Sequence, residues 1–429
     1  MEKKIYELQF YGKKLVIETG EVAKQSDGAV IVRLDDTVVL STAVAGNSPK
    51  DLDYFPLSVS YQEKLYAIGR IPGSFLRREG RETEHATLSG RLIDRPIRPL
   101  FAEGFRNEVQ IINTVLSVDL NATPEMSAML GSSMALCLSD IPFEGPVAGV
   151  QVGRVDGKFI INPTLEENNK SDIQLTVAGT KHAINMVESG ANEVTEEDML
   201  DALMFGHAAI IELCEFQEKI MAEIGKPKRE FPLFVPNEDV VTECKELFTK
   251  PLQDAISTFD KLEREHNIQE VKDQMLAHFS AKEWADDGAK RKALDDVKAL
   301  HESMVADEVR RLITDEKVRP DGRRVDEVRP LDCQIDILPR VHGSALFTRG
   351  QTQVLSVVTL GAKSEEQILD NLTEEDFKRF MHHYNFPPFS VGDIKRTGAP
   401  GRREIGHGAL GERALSYVIP SEEVFPYTI

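Results

Sequence analysis

Residues 28–46, GAVIVRLDDTVVLSTAVAG, lie over residues 343–361, GSALFTRGQTQVLSVVTLG, without a gap. Gly28, Thr37, Val39, Leu40, Ser41 and Gly46 fall on Gly343, Thr352, Val354, Leu355, Ser356 and Gly361. A second block, RETEHATLSGRLI at 81–93, falls on REIGHGALGERAL at 403–415. It matches Arg81, Glu82, His85, Leu88 and Arg91 to Arg403, Glu404, His407, Leu410 and Arg413. The offset is 315 in the first block and 322 in the second, with Tyr61 over Tyr384 and Gly69 over Gly392 between them at 323. Constant order and nearly constant spacing mark a duplicated unit, so the chain must fold as two copies of one architecture. Only SYVIPSEEVFPYTI follows the second block in copy two, so that copy is expected to be incomplete here.

Local patterns say what the unit is made of. KIYELQF and KKLVIETG alternate around a Tyr-Gly turn, which predicts a hairpin. Two strands joined at Asp35-Asp36 follow. Helical spacing runs from Glu84 to Asp94, where Pro96 and Pro99 should end it. NEVQIINTVLSVD predicts a strand, and PEMSAMLGSSMALCLSD a helix stopped by Ile141-Pro142. A hairpin turning at Asp156-Gly157, the strand DIQLTVAGT and a long helix capped by Thr195 and stopped at Gly225 complete copy one. From Glu238 to about Asp315 charges are dense and β-branched runs are few, with Pro251 and Gly288 as the breakers. That stretch reads as all-helical, its charge runs being solvated faces. Strands followed by helices predict an α+β chain divided 1–235, 236–315 and 316–429.

A length of 429 residues exceeds one ordinary core. The formal net charge of −20 argues against indiscriminate nucleic-acid binding but permits a focused basic site. No apolar leader or membrane-spanning stretch is expected. Four scattered cysteines without a Cys-x-x-Cys pair fit a reducing, cytoplasmic setting.

Against this acidic background, eight arginines and no lysine fall between Arg70 and Arg106. Arginine forks grip phosphate with two parallel bonds. They equally make surface ion pairs, here with Glu79, Glu82, Glu84 or Asp94. Phe75, Leu76, Arg77 and Arg78, bracketed by Gly73 and Gly80, read as a loop. An exposed aromatic beside arginines suits single-stranded nucleic acid, and the alternative is a surface loop with a buried Phe. Arg402 and Arg403 sit just before a helix whose first turn would present His407. Two guanidiniums, an imidazole and free helix-start amides would make a phosphate pocket, and the alternative for His407 is capping or packing. GHGALG at 406–411 matches a dinucleotide fingerprint, but no apolar strand precedes it, so that reading is rejected.

GSFLRREGR…RLIDRPIRPLF, VRPDGRRVDEVRPL and FPPFSVGDIKRTGAPGRREIGHGALGERAL closely resemble the polynucleotide phosphorylase family. The resemblance implies two RNase PH-like (ribosomal protein S5 domain 2-like) domains, the second incomplete, joined by an all-α linker. It implies a cytoplasmic homotrimeric ring that degrades single-stranded RNA from its 3′ end, with inorganic phosphate as co-substrate and Mg2+ or Mn2+ as cofactor. Nucleoside diphosphates would be released, the reverse reaction would add tails, and partners in RNA-degradation complexes are expected. By resemblance Phe75, Arg77, Arg78 and Arg81 bind RNA, and Arg402, Arg403 and His407 line the phosphate and RNA-end pocket. Leu76 stands where many relatives have a second Phe. The family's serine run and Asp, Asp, Lys catalytic set would follow Ile429. No catalytic or metal residue is therefore assigned in this chain. Copy one offers Asn168, Gln174 and Thr176 at the corresponding positions, which marks it as catalytically silent. The alternative for the chain itself is a noncatalytic RNA-binding ring scaffold.

Overall fold

A computed structural model describes residues 2–369, 371–372 and 376–429. Two compact units divide the chain, residues 1–233 with 360–429, and residues 234–359.

The first unit begins with β1 (Lys4–Phe10) and β2 (Lys13–Thr19), paired antiparallel through Tyr11 and Gly12, both at positive φ. They continue into β3 (Gly28–Leu34), β4 (Thr37–Pro49), β5 (Leu57–Gln62) and β6 (Asn107–Ser117). The sheet order is β1-β2-β3-β4-β6-β5, so β5 is an edge strand, and it runs parallel to β6. Helix α1 (Glu84–Ile97) packs on β5. Helix α2 (Pro124–Leu138) is buried at every position but Glu125, which its apolar composition demands. It lies against β3, β4 and β6 and also touches β7 (Ala148–Val155). Strand β7 belongs to a second sheet with β8 (Lys158–Ile161), β9 (Ile173–Gly179) and β10 (Ile184–Ala191), in the order β10-β9-β7-β8. The short α3 (Leu165–Lys170) and the long α4 (Glu196–Ile224) pack on this sheet. One hydrophobic core runs through both sheets and α2.

In the second unit α5 (Glu238–Ile256), α6 (Lys261–Ser280) and α7 (Asp287–Arg311) bury Cys244, Phe248, Met275, Phe279, Val297 and Met304 together. Side chains of Asn237, Asp260 and Asp286 cap the three N-termini. The same unit carries a three-stranded sheet of β11 (Leu331–Ile335), β12 (Gly343–Arg349) and β13 (Thr352–Val358). Within the first unit, the hairpin of β14 (Gln367–Leu369) and β15 (Asp376–Lys378) precedes α8 (Arg402–Ser416), which packs on α1.

The duplication is visible in the elements. β3 and the start of β4 map onto β12 and the start of β13 at the offset of 315, and β2-β3-β4 and β11-β12-β13 share one antiparallel order. A 3-10 turn at Leu65–Ile68 and its counterpart at Pro388–Val391 end in Gly69 and Gly392, both left-handed, with φ of 71° and 70°. A side chain is strained in that conformation, which explains glycine at both positions.

Several boundaries differ from the sequence reading. Pro96 lies inside α1, in the last turn, where the helix tolerates one lost bond. Helix α2 stops at Leu138, with Ser139 as its cap, before Ile141-Pro142. Pro251 sits within α5, and Gly288 in the first turn of α7, so neither breaks the bundle; the breaks fall at 257–260 and 281–286. The 3.6-residue apolar pattern outweighed single breakers. Strands β5 and β10 and helix α3, which is closed by a Thr164–Glu167 capping box, went unread.

Candidate functional site

The eight arginines of 70–106 separate into two groups. Arg98 grips Asp94 through two bonds, at 2.7 and 2.8 Å, and donates to the carbonyls of Phe55 and Leu57. Arg95 donates to Glu188 at 2.6 Å, and Arg70 and Arg106 also have partners. These are structural. Arg77, Arg78, Arg81 and Arg91 have no ion pair among the described residues. The surface-pairing alternative therefore accounts for part of the cluster only.

The loop carrying three of the unpaired arginines is local in origin. Ser74 closes it, accepting at its carbonyl from Arg77 N–H at 2.9 Å and donating from Oγ to the Arg78 carbonyl at 3.0 Å. Arg77 is held at φ 51°, a conformation that costs about 1–3 kcal/mol outside glycine. Phe75 is 99% exposed, which removes the buried-Phe alternative. A cavity of about 270 Å³ adjoins the loop, lined by Glu63, Ser74, Arg78, Glu79, Arg81 and Thr83 among others.

Arg402, Arg403 and His407 all belong to α8. The helix starts at Arg402, one turn earlier than the repeat places α1, so both arginines lie inside the first turn and His407 in the second. The cause is Glu404, which accepts the Gly401 N–H at 2.6 Å and the Phe386 N–H at 3.2 Å. That carboxylate takes the N–H of the cap residue Gly401 and places a negative charge at the helix start. Arg402 reaches into copy one and donates to the Val59 carbonyl at 2.7 Å, while its Nε is buried without a partner. Its guanidinium lies on Gly90 of α1, where any Cβ would strike it. Arg403 and His407 are exposed, and His407 packs on Tyr384 with ring centroids 4.4 Å apart.

The matching histidine in copy one has another role. His85 Nδ1 lies 2.7 Å from Glu63 and Nε2 3.3 Å from Glu125. Burial alone would lower its pKa, but the Glu63 hydrogen bond and the charges of Glu125 and Glu63 outweigh it and raise it to about 9. Glu63 is pushed the other way: burial would raise it, and the bonds from His85 and Thr83 hold it below the usual carboxylate range. At the offset of 323 copy two carries Phe386 in place of Glu63, which leaves His407 without that carboxylate.

Asn168, Gln174 and Thr176 come together in a second cavity of about 150 Å³, with Gln151, Glu188 and Arg413. Two amides and a hydroxyl are poor ligands for a divalent cation, and Glu188 is spent on Arg95 and on Arg413, each at 2.6 Å. This donor set does not fit magnesium or manganese. Among the described residues no group of three His, Cys, Asp or Glu side chains is placed to hold a metal ion. Among the described residues no helix is long and apolar enough to cross a membrane.

Sequence reasoning missed Glu63, Glu125 and Glu188 as the groups that orient the site. The only signal was chemical asymmetry between the copies, as at Glu63 over Phe386.

The profile of the 3′ exoribonuclease family, domain 1, matches residues 12–142 and 327–429, and that of its domain 2 matches 145–209. A profile described as the RNA-binding domain of polyribonucleotide nucleotidyltransferase matches 239–324, across the helical bundle. The chain is 59% identical over 428 residues to polyribonucleotide nucleotidyltransferase of Listeria welshimeri, covering 100% of itself and 59% of that protein. It is 59% identical to the proteins of the same name from Bacillus licheniformis and Bacillus subtilis, covering 100% of itself and 60% of each. The chain thus spans about three-fifths of the length of these relatives. Two RNase PH-like portions with an intervening helical region account for the repeat and the bundle together.

Proposed function

We propose, from the premise that this chain belongs to the 3′ exoribonuclease family, that it forms the RNA-gripping part of a phosphate-dependent 3′-to-5′ exoribonuclease. We divide it into a first domain at 1–235, a helical linker at 236–315 and the beginning of a second domain at 316–429. One observation carries the reading. In a chain of net charge −20, Arg77, Arg78 and Arg81 stay unpaired beside a fully exposed Phe75. Glu79, Glu82 and Glu84 stand close by in sequence, and among the described residues none of them pairs with these arginines. A stacking face with free cations is what an RNA strand requires of a protein that does not read its sequence.

In this reading Phe75, Arg77, Arg78 and Arg81 hold the strand. Arg402, Arg403 and His407 hold the incoming phosphate and the terminal phosphodiester. A phosphate oxygen attacks the terminal phosphorus, the bond to the penultimate O3′ breaks, that oxygen takes a proton, and a nucleoside diphosphate leaves. Phosphoryl transfer needs positioning and charge neutralisation above all, which guanidiniums supply. The catalytic carboxylates and their magnesium or manganese are assigned to the part of the relatives that this chain does not span. Assembly as a homotrimeric ring, a cytoplasmic location and membership of an RNA-degradation complex belong to the same proposal.

The test is phosphate-dependent release of nucleoside diphosphates from a 3′-hydroxyl oligoribonucleotide, with filter binding of the same RNA. Binding without release is expected from this chain. Robust release would overturn the assignment of the catalytic groups, and absent binding would overturn the RNA-gripping role. A second reading, a noncatalytic RNA-binding scaffold, is favoured for the chain by itself by the amide-lined cavity of Asn168 and Gln174.

A further inference from the structure

We propose that Glu63 and His85 are positioning residues for the RNA-gripping loop: they tie the exit of the loop to the end of β5, so that the grip on RNA depends on the charge of the pair. The inference rests on the RNA role assigned above to Phe75, Arg77, Arg78 and Arg81 and deepens it.

The loop has little of its own to hold it in place. Residues 73–78 are all exposed, and the cavity of about 270 Å³ lies beside them, lined on one side by residues 61–65 and on the other by 72–74 and 78–83. Two carboxylates cross this gap. Glu79 of the loop accepts the Leu65 N–H at 3.3 Å. Glu63 accepts the Thr83 hydroxyl at 2.5 Å and stands 2.7 Å from His85 Nδ1. Thr83 follows Arg81 by two residues and caps α1, its hydroxyl accepting the Ala86 N–H at 2.9 Å. One carboxylate thus fixes the start of α1 and the exit of the loop together.

Copy two closes the same junction without an imidazole. Glu404 takes the N–H of Phe386, the repeat counterpart of Glu63, at 3.2 Å. Glu82, the counterpart of Glu404, has no partner among the described residues. Copy one therefore makes with a histidine what copy two makes with a main-chain amide.

That difference exposes the junction to a proton. The side chains of Glu63 and Glu125 are 8% and 12% exposed, and the imidazole stands between them, with Nε2 3.3 Å from Glu125. The buried Tyr61 hydroxyl donates to Glu125 at 3.4 Å, and with the Thr83 hydroxyl it completes the polar groups around the ring. An imidazolium donates to both carboxylates, whereas a neutral imidazole has one N–H and turns a lone pair toward the other. A buried carboxylate that loses its partner is costly. Burial opposes the proton on His85, but the Glu63 bond and the charges of Glu125 and Glu63 hold it up to about pH 9. Above that pH one carboxylate loses its donor and the junction loosens.

The test follows binding of a fluorescent hexaadenylate to the full chain by anisotropy, at constant ionic strength from pH 7 to 10. Circular dichroism at each pH verifies that the chain stays folded, which separates grip from stability. Wild-type affinity is expected to fall about tenfold as pH rises through 9, the cost of ordering a loosened loop on RNA. His85→Lys, whose cation outlasts most of that range, should keep most of its affinity. Glu63→Gln should bind about tenfold more weakly than wild type already at pH 7. If Glu63→Gln does not fold, the profiles of wild type and His85→Lys carry the test. Arg77→Ala combined with Arg78→Ala is the reference. Loss of binding in the reference with parallel profiles for wild type and His85→Lys would overturn the proposal and leave the loop's RNA role standing. Wild-type affinity in the reference would overturn that role itself.

Discussion

Arg402, on α8, donates to the main-chain carbonyl of Val59 on β5 at 2.7 Å, across 343 residues of sequence. A side chain from the second repeat thereby engages the edge strand of the first repeat's sheet. Edge strands expose unpaired polar groups, and this contact occupies one of them. It also fixes the arginine-bearing turn of α8 against α1. The same residue that we place in the phosphate pocket is therefore part of what holds the copies together.

Replacing Phe75 with Ala should weaken binding of a short oligoadenylate by about 1–3 kcal/mol, the worth of one stacked base. Because the ring is 99% exposed, the thermal midpoint should not move. Fluorescence anisotropy and a melting curve on the same preparation check both halves. Unchanged affinity would return the loop to an ordinary surface role.

The paired substitution of Arg77 and Arg78 by Ala should flatten the salt dependence of RNA binding. On single strands each phosphate contact contributes about 0.7 to the slope of log affinity against log salt. Losing two contacts should reduce the slope by about 1.4. An identical slope in wild type and variant would show that neither arginine meets the backbone.

His85 makes stability depend on pH in the alkaline range. Its folded pKa of about 9 lies above its unfolded value near 6.5, so its stabilising contribution is whole below pH 6.5 and is lost as pH rises through 9. Glu63 has a depressed folded pKa, so its contribution is present above its unfolded value and disappears as the solution is acidified. Glu125 and the Thr83 hydroxyl are the other polar groups at the site, and the buried Tyr61 stays neutral throughout the range. Denaturant unfolding from pH 6 to 10 should show a decline that His85→Gln abolishes. Parallel curves for wild type and variant would contradict the charge assignment.

Glu188 is the strut between the repeats, bound at 2.6 Å by Arg95 of α1 and at 2.6 Å by Arg413 of α8. Glu188→Gln removes the charge and leaves two guanidiniums facing each other. With its side chain 26% exposed, the loss should be about 1–3 kcal/mol, below that of a fully buried pair. Hydrogen exchange should locate the weakening in amides of 402–416. Weakening spread evenly over the core instead would argue that Glu188 acts elsewhere.

Strand and helix identity was legible wherever one face had to be apolar. The alternation in β6 and the unbroken apolar run of α2 read correctly because burial imposes those periods, whereas β2 is a strand with five consecutive buried residues. Pro251 and Pro96 misled because a single breaker costs less than the packing it would interrupt. At the candidate site the residue types were legible and their partners were not. His85 and His407 occupy matching repeat positions, yet one is clamped between carboxylates and the other lies on a tyrosine ring. Nothing within either block distinguishes them.

By itself the sequence determined the duplication, with Gly69 and Gly392 among its matched positions, the helical insert and the family. Each of these depends on local periodicity or on residue order, which a linear string contains. Only the tertiary structure decided which arginines are free and which are bound, that Glu404 closes the start of α8, and that Arg402 lies on Gly90 of α1. Those outcomes depend on which side chains come within a few ångströms once the chain is packed, where Coulomb interactions and desolvation act through space and not along the chain.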